Sequence, residues 1–464
     1  MPIRNTFPTG FAVAFLVLLN VVTYANALQN KFVQDDFIVI ANNNLIKSLE
    51  NFPIIFSKKY INLPKNFHPD RATGSGELTY RPLVTASYFI DYYLWALNPL
   101  GFHFINILLH ILNVLLLFYL AFLLFQNKRL AFFSAALFSV HPINAETVNV
   151  INFREDLLAF FFFCSSFVFY VKWRRFCGFK SLYCLLLSLA CFALALFSKE
   201  SSVMLPVILL LYDYFFMEGL DLKACLAKAF PLYGAHILIL VLYAVIYSSM
   251  MTGLNHYVMP YRGGNFWSNA WICLDVIGTY LRWLFWPVDI HVALTVPGNM
   301  PTHGPYFNSS TLFSLAAIVL CLGAAFVSQK RFKALSFSIL WFFVTLVPVT
   351  NIIPLPTMIA SHFLYIPIAG FSFSFSLFLQ RISTFQFHIV SRVIFKKSIR
   401  IFAAVFLGLC ALITIFRNPT WRDNEKLWWE CVRIYPHNTM ALNNYAQELY
   451  NIDQSRARGR LSVT

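Results

Sequence analysis

Residues Phe11 to Leu28 read FAVAFLVLLNVVTYANAL, and Lys31-Phe32-Val33-Gln34-Asp35-Asp36-Phe37 follows almost at once. An unbroken apolar run of this length is what a bilayer-spanning helix needs, roughly 20 residues. Two adjacent carboxylates at its mouth are costly to place beside hydrocarbon, which makes Asp35 and Asp36 functional-site candidates. The remaining ionisable residues at helix ends then separate two readings. Gathered on the same side as the aspartates, they build one polar chamber; scattered, they leave ordinary loop charge.

The composition supports the membrane reading. The 464-residue chain is 59% hydrophobic and only 12% charged, with 51 Phe, 22 Tyr and 10 Trp. Soluble domains carry about twice that share of charge, so the chain is an all-α polytopic membrane protein. Its formal charge of +15 belongs to cytoplasmic loops and the anionic head groups they meet. No basic stripe with interleaved exposed aromatics occurs outside those loops, so nucleic acid is not a partner. The cysteines include no CxxC pair, and Cys164, Cys184, Cys191, Cys321 and Cys410 lie inside apolar runs, where they act as small hydrophobic residues. The first run lacks a small-residue cleavage site and is expected to stay as a helix.

About eleven segments are apolar enough to cross: 9–28, 101–125, 130–141, 156–172, 181–198, 201–217, 229–250, 310–328, 334–350, 366–381 and 400–417. Short basic connections, such as Lys128-Arg129, Arg174-Arg175 and Lys330-Arg331, follow every second span and set the cytoplasmic face. Trp267 to Trp286 is long enough to span as well. It carries Asp275 and Arg282 and would invert the later basic loops, so it is expected to lie at the interface.

On that topology the opposite face collects the unusual residues. The first loop, about 29–100, holds Asp35 and Asp36, then Tyr80-Arg81-Pro82, then an aromatic run from Leu83 to Leu97 that suits a flat interfacial helix. His141-Pro142, with Glu146 close behind, interrupts the third segment there. Arg154-Glu155-Asp156 opens the fourth, Ser198-Lys199-Glu200 joins the fifth and sixth, and Ser361-His362-Phe363-Leu364-Tyr365 precedes the tenth. The second span presents His103, Asn106, His110 and Asn113 at helical spacing. Interhelical hydrogen bonding accounts for the last three, while His103 lies nearest the chamber. After Arg417 the chain turns polar, dividing it into a membrane domain, 1–417, and a helical tail, 418–464. Pro436 to Ala446 is similar to the first helix of a tetratricopeptide repeat, and one partial repeat cannot bury its own face. The tail is therefore either the start of a truncated array, the reading preferred here, or a piece that packs on the membrane domain. Residues 455–464 are expected to be unstructured.

Taken in order, these motifs resemble the transmembrane and tetratricopeptide-repeat O-mannosyltransferases and their prokaryotic relatives, within the GT-C glycosyltransferase fold. The resemblance rests on Asp35-Asp36-Phe37, Tyr80-Arg81-Pro82-Leu83, Gly101-Phe102-His103, His141-Pro142 with Glu146, Arg154 with Asp156-Leu157, Ser198-Lys199-Glu200, and Phe363-Leu364-Tyr365-Ile366-Pro367. Relatives commonly carry an acidic–Arg pair where this chain has Ser361-His362. The resemblance implies transfer of mannose or another hexose, with inversion, from a polyprenyl- or dolichyl-phosphate donor to a hydroxyl of a protein or glycan. The implied setting is the non-cytoplasmic face of a bacterial inner membrane, or of the endoplasmic reticulum in a eukaryote.

Such chemistry needs a base for the acceptor hydroxyl and cations for the leaving phosphate. Partial desolvation strengthens a carboxylate as a base, so Asp35 is the expected general base, with Asp36 holding the acceptor or a metal. Arg81, Arg154 and Lys199 are the expected phosphate ligands. The alternative for the last two is internal pairing, Arg154 with Glu155 or Asp156 and Lys199 with Glu200. Tyr80, His103, His141, Glu146, Asp156, Glu200, His362 and Tyr365 are expected to position substrate. A divalent metal among Asp35, Asp36, Glu146 and a histidine is possible, but no tight ligand spacing selects one. Two other classes remain open: a lipid-linked substrate flippase, which would place its polar residues near the midplane, and a membrane-anchored repeat scaffold without catalysis.

Overall fold

The computed structural model describes residues 8–58, 79–217, 229–251, 259–288, 290, 308–384 and 392–461, and the regular structure among them is helical. Seven helical stretches among these residues are long and apolar enough to cross a membrane, Thr9–Gln29, Pro99–Phe125, Ile151–Arg175, Phe179–Leu196, Tyr233–Met251, Ser309–Ser328 and Val393–Trp421. The chain is a multi-pass integral membrane protein built as a helical bundle. Each of the expected spans coincides with a helix, but several are shorter than a bilayer crossing requires.

The helices are α1 (Thr9–Tyr24), α2 (Pro82–Trp95), α3 (Pro99–Phe125), α4 (Lys128–Val140), α5 (Asn144–Asn149), α6 (Arg154–Arg175), α7 (Phe179–Leu196) and α8 (Leu205–Phe216). They continue as α9 (Ala229–Met251), α10 (Phe266–Phe285), α11 (Ser309–Ser328), α12 (Lys333–Leu346), α13 (Pro367–Ile382), α14 (Arg392–Arg417), α15 (Asn424–Ile434) and α16 (Thr439–Leu461). Helix α4 has 13 residues, because His141 leads into Pro142, whose ring and missing N–H end a helix. From Leu130 to Val140 most of its residues are buried, so protein rather than lipid satisfies it. Local signals set the other boundaries. Asn127 accepts from the N–H groups of Arg129 and Leu130 at the start of α4. Glu155 and Asp156 in the first turn of α6, with Lys172, Arg174 and Arg175 in its last, match the helix dipole at both ends.

The aromatic run from Leu83, one of two segments expected at the interface, forms α2. It buries Val84, Tyr88 and Phe89 and leaves Ile90, Tyr93 and Leu94 outside. Helix α10 packs along α11, with Asp275 accepting from Thr311 Oγ1 at 2.9 Å and Gly278 pressed close to Ser314. The polar stripe of α3 is interhelical, as its spacing suggested. His110 lies 2.6 Å from the Tyr365 hydroxyl, and Asn113 donates to the Leu157 carbonyl at 2.9 Å.

The tail packs on the membrane domain. Trp421, Leu427, Trp428, Cys431 and Ala441 form one apolar cluster with Val33, Ala145, Val150 and Phe153. The Lys31 N–H donates to the Arg422 carbonyl and the Gln34 N–H to Asn424 Oδ1. A hairpin that cannot bury its own face thereby buries it against the aspartate loop. Helix α16 runs on to Leu461, beyond the point where an unstructured end was expected, and residues 462–464 lie outside the described ones.

Candidate active site

A cavity of about 970 Å³ opens where the aspartate loop, the segment before α2, the turn between α5 and α6, the start of α6, the α7–α8 turn, residues 348–363 and the tail converge. The short basic connections sit at the other ends of these helices: α6 starts beside the cavity at Arg154 and ends at Arg175. Asp35, Arg81, Lys199, Glu200 and His362 all line the cavity.

The adjacent aspartates point to different tasks. Gln34 adopts a left-handed backbone, φ 49°, held by the bond from its N–H to Asn424. Beyond this bend Asp36 is buried, and its carboxylate accepts from the Val33 N–H at 3.0 Å and the Asn152 N–H at 2.8 Å. It ties the loop to the start of α6 and does not reach the cavity. Burial pushes its carboxyl up to about 7 against the pull of those two amides. Asp35 is half-buried on the cavity wall, and desolvation pushes it up to about 7 as well.

Opposite stands an ion cluster that three separate segments assemble. Arg81 pairs with Glu155 and, at 2.8 Å, with Glu200. Lys199 lies 3.0 Å from Glu155 and 2.6 Å from Asp156, with its ammonium above the Phe363 ring. Burial holds Lys199 below the usual lysine range, against the Asp156 carboxylate. Desolvation raises Glu200, and the Arg81 guanidinium more than offsets it, leaving the carboxyl below its usual range. Glu155, which the sequence offered only as a pairing option for Arg154, bridges both cations.

Other candidates do not reach the cavity. Arg154 is fully buried, 2.5 Å from Asp91, donating to Asn106 Oδ1 and the Phe102 carbonyl and stacked over Tyr88. It is internally paired, but with neither of its sequence neighbours, because the helix turns their side chains toward Lys199. His103 is buried against the Asn30–Lys31 backbone. His141 serves the turn around Pro142, with Nε2 3.1 Å from the Leu284 carbonyl. Tyr80 packs edge-on to Phe197, and Tyr365 belongs to the core network of α3. Asp156 acts through Lys199. Glu146 lies behind the wall and binds Ser361 Oγ at 2.8 Å, the His362 N–H at 3.1 Å and His362 Nδ1 at 3.2 Å. Among the described residues no cluster of three or more His, Cys, Asp or Glu side chains is suited to a metal.

Sequence reasoning missed the tail's share of the wall. Trp428, Met440, Asn444, Gln447 and Glu448 line the cavity, the last four from one face of α16. Their spacing was visible, but nothing local showed that this face would meet Asp35.

Residues 90–247 match the family described as dolichyl-phosphate-mannose-protein mannosyltransferase. Human protein O-mannosyl-transferase TMTC1 is 25% identical over 97% of this chain and 54% of its own length. The mouse protein of the same name is 32% identical over 45% of the chain and 22% of its own length. A *Caenorhabditis elegans* protein O-mannosyl-transferase, F38B6.6, is 23% identical over 94% of the chain and 59% of its own length. The chain thus spans about half the length of the curated relatives it matches. Among solved structures, the *Archaeoglobus fulgidus* oligosaccharyltransferase tethered to an acceptor peptide superposes with a TM-score of 0.50 at 13% identity, over 93% of this chain and 58% of that one. That likeness concerns the fold.

Proposed function

We propose that this chain, a relative of the protein O-mannosyl-transferases along nearly its whole length and a GT-C-like membrane protein in fold, is itself a glycosyltransferase. It moves mannose or another hexose from a polyprenyl- or dolichyl-phosphate donor to a hydroxyl of a protein or glycan on the non-cytoplasmic face. The observation that carries the reading is the placement of a desolvated carboxylate, Asp35, on the wall of the cavity that also presents Arg81 and Lys199.

The roles follow from the chemistry of each group. Asp35 takes the proton of the acceptor hydroxyl as its oxygen bonds to the anomeric carbon. A base works best when its pKa lies near the working pH, and about 7 meets that condition. The sugar–phosphate bond breaks, and Arg81 and Lys199 receive the charge released on the phosphate. Asp36 holds the loop rather than the acceptor. Glu155, Asp156 and Glu200 hold the two cations in place, and α16 walls the side from which an acceptor enters.

The test uses the purified chain in lipid nanodiscs, a radiolabelled polyprenyl-phosphate mannose and a hydroxyl-bearing peptide. Label should move to the peptide. The working form of a base with a raised pKa is the deprotonated one, so the rate should climb through about pH 7 and level off above it. Absence of transfer overturns the proposed activity; transfer with a flat profile overturns the assignment of Asp35.

A further inference from the structure

Asp35 sits in a tight turn that is fixed from two sides. The Asp36 N–H donates to the Val33 carbonyl at 3.0 Å, which leaves Gln34 and Asp35 as the two central residues. On the C-terminal side the restraints are internal to the membrane domain. The Ile38 and Val39 N–H groups both donate to the Asp35 carbonyl at 2.9 Å, and the Asp36 carboxylate takes the amides of Val33 and Asn152. On the N-terminal side stands Gln34 with its φ of 49°. Turns that require a positive φ at the first central position give it to glycine or asparagine, because a larger side chain crowds the backbone there. Gln34 occupies it at a conformational cost.

The group that offsets this cost comes from the tail. The Gln34 N–H donates to Asn424 Oδ1 at 2.9 Å. A backbone N–H needs an acceptor, so the carboxamide of Asn424 presents its oxygen to the loop, and its amide hydrogens are left for Glu448 on α16, to which the side chain is also hydrogen-bonded. Asn424 is held in its own right as the first residue of α15. Asp423 before it caps that helix by accepting from the Lys426 N–H at 3.1 Å, the Arg422 carbonyl accepts from the Lys31 N–H at 2.8 Å, and Trp421, Leu427 and Trp428 are anchored in the apolar cluster that includes Val33. Both Asn424 and Glu448 reach the cavity wall that Asp35 shares. A strained turn on the membrane domain is thus tied to a rigid helix of the tail by one side chain.

We infer that Asn424 is a positioning residue for the base: through its bond to Gln34 the tail holds the turn that keeps the Asp35 carboxylate on the cavity wall. The inference rests on the proposed function and adds a second duty for the tail, which sets the geometry of the catalytic group as well as walling the acceptor side. Asn424 acts only through Asp35. Its loss lets the turn relax toward negative φ and lowers the fraction of molecules with the base in place, while the donor's site around Arg81 and Lys199 is untouched.

The test uses the full chain in nanodiscs, a radiolabelled polyprenyl-phosphate mannose and a hydroxyl-bearing peptide. In Asn424→Ala, transfer at saturating donor and peptide should fall roughly ten-fold, the weight of one hydrogen bond, with donor affinity and the KM for peptide unchanged. Hydrogen exchange at the amides of residues 36–39 should quicken in the same variant. Adding Gln34→Gly supplies a residue that takes the positive φ without a Cβ, and should restore most of the rate and slow the exchange again. If Asn424 merely packed the tail, the added glycine would loosen the loop further. An unchanged rate in Asn424→Ala overturns the inference, as does a loss that Gln34→Gly fails to restore or a rise in KM for peptide at constant maximal rate. These outcomes leave the proposed function standing as long as wild type transfers sugar. A wild-type chain that transfers none removes that function and the base with it, whereas the exchange measurements still decide whether Asn424 sets the turn.

Discussion

Replacing Asp35 by asparagine is expected to lower sugar transfer by roughly 10²–10⁴-fold, the contribution of a positioned general base, with insertion, folding and donor binding retained. The amide keeps the shape of the side chain but cannot accept the proton. Asp35 is half-buried on the wall, and the hydrogen bonds that hold this loop use backbone groups and Asp36, so the substitution removes chemistry rather than structure. Asp36→Asn supplies the contrast. Its two oxygens each accept a backbone N–H, and an asparagine has one oxygen to offer. That variant should lose stability, with about 1–3 kcal/mol at stake for the stranded amide, and should lose activity only as the loop loosens. In vitro transfer and thermal unfolding, measured side by side, separate the two. Full activity in Asp35→Asn would sink the base assignment; a larger catalytic loss with unchanged stability in Asp36→Asn would move the base to its neighbour.

Asp91→Ala is expected to destabilise the fold by about 3–5 kcal/mol, because it leaves the Arg154 guanidinium buried without its counter-charge. Asn106, Ser87 and the Phe102 carbonyl would still accept from Arg154, but neutral acceptors do not cancel the cost of burying a cation. The double variant Asp91→Leu with Arg154→Met should recover most of the loss, since apolar residues of similar size often replace a buried ion pair at little cost. Chemical unfolding in detergent measures both. A change under about 1 kcal/mol in the single variant would mean that Arg154 has water or another anion within reach and is not the internal tie between α2, α3 and α6 described above.

The sequence carried the parts of the architecture that depend on local pattern. Apolar runs and basic connections were enough to give a helical membrane bundle and to put the polar motifs at one set of helix ends. The α3 stripe was legible for the same reason, since its spacing is a property of one helix. Span lengths were less so. Helices α4, α8 and α13 are short because protein surrounds much of them, and burial by distant segments leaves no local mark beyond hydrophobicity.

Of the candidate site, the sequence by itself determined which residues carry charge beside apolar runs: Asp35, Arg81, Arg154, Lys199 and Glu200. The tertiary structure decided their partners. Arg154 finds Asp91 instead of Glu155, Arg81 and Lys199 share Glu155, and Glu146 reaches His362 across 216 positions. It also turned Asp36 away from the cavity and brought the tail to its wall. The physical reason is that a charge in an apolar setting must find a counter-charge or a hydrogen bond. The need is written in the residue, whereas the group that meets it depends on which helices pack together.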